Sequence, residues 1–134
     1  MALQLPLRLA IAILMLGVAA SCAGSDRRLQ QHQQKLESLG SSVAAIGEAW
    51  LAGHVSGTYT RTAFEQTFIL VEQERTALAR APEALADRRA ARLTEAADRL
   101  SRLLAAMTCD VQLRDATALR RRLTQIPLYP HQQP

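Results

Sequence analysis

The chain has 134 residues, 16 Lys and Arg against 12 Asp and Glu for a formal net charge of +4, and is 49% hydrophobic but only 4% aromatic. That length holds one domain of ordinary size. Alanine and leucine carry the apolar content, which argues against a β-sheet protein, because strands draw on β-branched and aromatic residues. So mild a charge, with so few rings to stack on bases, argues against a nucleic-acid binder.

The first eight residues carry one positive charge, Arg8, and the run from Leu9 to Ala20 is unbroken apolar. Small residues follow at Ser21, Ala23, Gly24 and Ser25. A charged start, a short apolar centre and a small-residue exit are the parts of a secretory signal peptide. The run is too short to span a bilayer, which takes about 20 apolar residues, and Asp26, Arg27 and Arg28 close it. Ala19-Ala20-Ser21-Cys22 resembles the lipobox of bacterial lipoproteins, with Ala19 where Leu is usual. The resemblance is confined to this segment. It implies that residues 1–21 are removed, that Cys22 begins the mature chain, and that its thiol is acylated. Ala23 in place of Asp implies sorting to the outer membrane, on the periplasmic side. Each buried methylene contributes about 0.8 kcal/mol, so several acyl chains hold a protein durably. The same residues admit an ordinary signal-peptidase cut after Ala23, which would release a soluble periplasmic protein.

Residues 22–34 are polar, a tether or the frayed start of a helix, and the predicted bundle occupies 35–126. The first helix covers roughly Ser25 to Ala52. Leu29, His32, Leu36, Leu39, Val43, Ile46 and Trp50 recur at alternating spacings of three and four, a heptad seam. Gly40 and Gly47 adjoin it. Glycine costs about 1 kcal/mol in a helix interior, so these two predict a neighbouring helix that approaches closely. Gly53 to Arg61 reads as a loop. A capping box at Thr62 and Glu65, with Thr60 as a rival cap, opens a second helix from Ala63 to Arg80. Its seam is Phe64, Phe68, Val71, Arg75 and Leu78, and Ala81-Pro82 ends it.

Glu83 to Ala86 forms a turn, and Asp87 caps a third helix with Leu93, Ala97, Leu100, Leu103, Leu104, Met107 and Val111 inward. Glu95–Arg99 and Asp98–Arg102 are i, i+4 pairs on its solvent side. This helix either runs through Thr108–Asp115 or breaks at Asp110. Asp115 caps a short last helix to about Gln125, with Ala116, Leu119, Leu123 and Ile126 inward. Residues 127–134 are a loose, proline-bounded tail. The predicted fold is all-α: an up-down antiparallel bundle of three long helices and one short C-terminal helix. The short member predicts a groove beside it.

Chemistry-bearing patterns are sparse. His32, His54 and His131 stand apart, and Lys35 and Leu36 occupy the positions where a helix-face metal site needs a second ligand. No metal is expected, and no cofactor: there is no Cys-x-x-Cys-His for haem, and Met107 reads as core. Gly53-His54-Val55-Ser56-Gly57 is not a nucleophile elbow, so no catalytic residue is expected. Arg75 falls on a seam, where it either pairs with Glu72 or reaches out at the edge; the edge is the expectation. Arg120, Arg121 and Arg122 complement a helix C-terminus and are candidates for lipid phosphate or an acidic partner. Cys109 lies off its seam as a lone thiol. The expectation is a non-enzymatic envelope lipoprotein. It is tied to lipid through Cys22, and its bundle works by contact with an envelope protein or a second copy. The alternative is a soluble periplasmic bundle that binds a metal, haem or apolar ligand.

Overall fold

The computed structural model describes the backbone of residues 4–84 and 86–126 and the side chains of 24–84 and 86–126. Cys22, as a side chain, and the tail with His131 lie outside these. The chain divides into two units, Met1–Gln31 and His32–Pro134. In the first, the backbone is helical from Gln4 onward, as part of α1 (Gln4–Leu51). The helix runs without a break through residues 22–34.

The second unit is a four-helix bundle: the remainder of α1, α2 (Gly57–Arg80), α3 (Arg88–Gln112) and the short α4 (Ala116–Leu123). Its register is up-down. His32 and Lys35 of α1 reach Glu74, far along α2. Glu72 and Arg75 of α2 reach Ser101 and Asp98 of α3. Asp110 of α3 reaches Arg122 of α4. The core is Leu36 and Val43 from α1, Phe64, Val71 and Leu78 from α2, Leu119 from α4, and the whole predicted stripe of α3. That stripe matches because Arg88, Arg89, Arg92, Glu95, Asp98, Arg99 and Arg102 charge the other faces of the first four turns of α3, so only one packing hides its leucines.

In α1 and α2 the buried stripe departs from the predicted seam by one residue. On α1 it takes Leu36, Gly40, Val43 and Gly47, while Leu39, Ile46 and Trp50 are half-buried. On α2 it takes Thr60, Phe64, Thr67, Val71, Glu74 and Leu78, while Phe68 and Arg75 move to the edge. The glycines face α4: a Cβ on Gly47 would stand 2.8 Å from a Leu123 methyl, and one on Gly40 would meet Ile126 at 3.4 Å. The missing side chains let α4 settle on α1. Ala116, predicted inward, is exposed.

The helix ends explain the other departures. α2 starts at Gly57, six residues before the predicted Ala63, because Ser56 is the N-cap and its Oγ accepts from the Tyr59 amide. Neither Thr60 nor Thr62 caps it; Thr60 is buried and donates to the Ser56 carbonyl. Asp87 and Asp115 cap α3 and α4 as predicted, accepting from the Arg89 and Ala118 amides. α3 does not break at Asp110. It ends in a Schellman turn, in which the Asp115 amide donates to the Asp110 carbonyl and the Arg114 amide to that of Val111. α1 ends the same way through His54 and Gly53. Such a turn needs a left-handed residue. Gly53 takes it freely at φ 76°, whereas Arg114 takes it at φ 55°, at a cost of about 1–2 kcal/mol for a residue with a Cβ.

Candidate functional site

Glu74 is the buried charge of the bundle's α1–α2 seam. Its side chain is 6% exposed, with His32 Nδ1 2.7 Å from one carboxylate oxygen and Lys35 Nζ 2.6 Å from the other. Lys35 is the sole lysine of the chain. Burial pushes the Glu74 pKa up, but the hydrogen bonds from His32 and Lys35, then their charges, outweigh it and hold the carboxyl below its ordinary value of 4.5. An ionised carboxylate only accepts, so Nδ1 of His32 is the protonated nitrogen. The arrangement ties two helices through one carboxylate. It lacks a third ligand: among the described residues, no group of three or more His, Cys, Asp or Glu is placed to hold a metal. The sequence held a faint signal for it, since residues 32 and 35 share a helix face and residue 74 lies on a 67-71-74-78 rhythm. Reading Phe68 and Arg75 into the seam concealed it.

Arg75 sits at the bundle edge, as expected, with its side chain 43% exposed. It pairs with Glu72 at 2.7 Å, the partner weighed from sequence, and also with Asp98 of α3 at 3.1 Å. Asp98 in turn holds Arg102, and Glu72 accepts from Ser101. The predicted Glu95–Arg99 pair forms on the open face. The basic run of α4 divides: Arg122 is bound to the buried Asp110 at 2.7 Å, and Arg120 and Arg121 are exposed. Arg122 therefore holds α4 to α3, and two arginines remain for an outside anion. Cys109 is an exposed free thiol about two helical turns along α3 from Ser101.

The surface opens between α2 and α3 in a recess of about 710 Å³ that Arg75, Ala79, Ala84 and Ala91 help to line. Against α4, Leu123 and Ile126 fill the space over the glycines of α1. The outer face of α2 is the other notable surface. Ile69 is 55% and Leu70 41% exposed there. Between Glu65 and Arg80 its exposed positions are Gln66, Ile69, Leu70, Gln73, Thr76, Ala77 and Ala79, none of them charged. Sequence reading missed this face, although two adjacent apolar residues off the seam were its signal.

Among the described residues, no helix is long and apolar enough to cross a membrane. No protein-family model, curated protein or solved structure matches this chain. The bundle is all-helical, and its distinctive surface is the uncharged outer face of α2.

Proposed function

We propose that this chain is an exported bacterial lipoprotein, anchored through acylated Cys22 on the periplasmic side of the envelope, whose bundle works by binding protein rather than by catalysis. The observation that carries the contact role is the outer face of α2. A solvated helix face ordinarily bears charges, and this one exposes Ile69 and Leu70 among uncharged neighbours over four turns. The anchor rests on the signal segment and its lipobox-like end. Outer-membrane sorting follows from Ala23 by the same resemblance.

The intact mass of the protein extracted from bacterial membranes tests the anchor. A chain that begins at Cys22 and carries acyl groups is the expected result. A chain that begins at Gly24 without acyl groups overturns it and leaves a soluble periplasmic bundle, for which the recess between α2 and α3 is the place to look for a ligand.

A further inference from the structure

We infer that a second copy of this chain docks on the outer face of α2, the two helices running antiparallel about a two-fold axis that passes between Glu72 and Gln73. The inference deepens the protein-contact reading above by naming the partner.

Glu65, Ile69, Gln73, Thr76 and Arg80 follow one another at spacings of three and four, so they form one line along the exposed side of α2. Glu72, half-buried near the axis, is neutralised by Arg75 and accepts from Ser101. Glu65 and Arg80 are the only charged residues among the exposed positions from 65 to 80, and they stand at opposite ends of the face. Fifteen residues of helix separate them by about 22 Å. Neither takes part in the ion pairs within the bundle. A two-fold axis midway between them sets each residue against the one equally far on the other side. Glu65 of one copy then faces Arg80 of the other, and the same pair repeats across the axis. Parallel pairing would set Glu65 on Glu65 and Arg80 on Arg80, with both contacts repulsive.

Shape follows the same symmetry. Phe68 and Ile69 lie on one side of the axis and Thr76 and Ala77 on the other, and all four line a shallow recess of about 440 Å³. Antiparallel pairing brings the bulky end of one face onto the small end of the other. Across the axis Gln73 faces Glu72 of the other copy, and its side-chain amide donates to that carboxylate. The contact is isologous and closes at two copies, so it does not propagate into fibres. A helix of 24 residues offers a strip about 36 Å long and 10 Å wide, about 360 Å² per copy, which is below the area of a standard stable interface and makes the contact weak by itself. Confinement of both copies to one membrane raises their effective concentration and suits a contact of that size.

The test is sedimentation of the full chain in detergent at low salt, for the wild type, Glu65→Arg, Arg80→Glu and the double reversal. All the changes are on exposed positions and leave the core untouched. The wild type is expected to sediment as a dimer. Each single reversal is expected to weaken self-association about tenfold or more, and the double reversal to restore it. A monomeric wild type, a wild type found only with a different protein, or a double reversal no tighter than the singles overturns the inference. The intact mass reports separately on the anchor: an unacylated dimer sinks the anchor alone, and an acylated monomer sinks the dimer alone.

Discussion

α1 closes two seams of the bundle by opposite means. Toward α4 it offers Gly40 and Gly47, and the seam shuts because nothing stands in the way of Leu123 and Ile126. Toward α2 it offers His32 and Lys35, and that seam holds through the buried carboxylate of Glu74. The first depends on shape and is indifferent to pH and salt. The second depends on charge, so pH reaches it. A helix with few large apolar residues can thus be held on two sides without a continuous leucine stripe.

The largest effect is expected on the shape side. Leu119 is the fully buried residue of α4. Leu119→Ala should cost about 2–5 kcal/mol, read as a lower urea midpoint, and should release α4 from the glycine surface. Loss of amide-exchange protection confined to α4 and the middle of α1 would confirm that α4 is held by fit; an unchanged midpoint would refute it.

The charge side should respond next, and with pH. Glu74→Gln keeps the shape and removes the charge, at a cost of about 1.5–3 kcal/mol at neutral pH. The folded pKa of Glu74 lies below 4.5, so the folded state binds fewer protons than the unfolded state in that range. The stabilisation is therefore complete above pH 4.5 and is lost as pH falls through the folded value. The gap between wild type and variant should narrow on acidification below 4.5. A gap that stays constant would show that Glu74 contributes by packing alone.

The smallest effect separates the two glycines. Gly40→Ala adds a Cβ at ordinary contact distance from Ile126 and should stabilise by about 0.5–1 kcal/mol through helix propensity. Gly47→Ala forces Leu123 to move, which offsets that gain. Thermal unfolding should therefore rank Gly40→Ala above wild type and Gly47→Ala below Gly40→Ala. Equal midpoints for the two variants would mean that α4 does not press on Gly47.

The shifts of register on α1 and α2 show what a hydrophobic pattern can and cannot carry. Positions 36, 43, 64, 71 and 78 read correctly, since both the predicted and observed stripes pass through them. Between them, Leu39, Ile46 and Phe68 are more apolar than Gly40, Gly47 and Thr67, so the sequence ranks them inward. Packing ranked them by volume instead, and the small residues took the tight places. Glu74 was hidden for a related reason. A carboxylate reads as a surface residue until a histidine and a lysine 42 and 39 residues away are seen to meet it.

The sequence by itself determined the four helices, the caps at Asp87 and Asp115, the inward stripe of α3 and the up-down order. Each of these depends on residues within a few turns of one another, and local propensity, capping chemistry and periodicity act at that range. Only the tertiary structure decided which residue beside each seam turned inward, that α4 rests on glycine, that Glu74 is shared by His32 and Lys35, and that Arg122 is spent on Asp110. Those outcomes depend on the volume and charge that a second helix brings, and a helix cannot record its neighbour in its own periodicity.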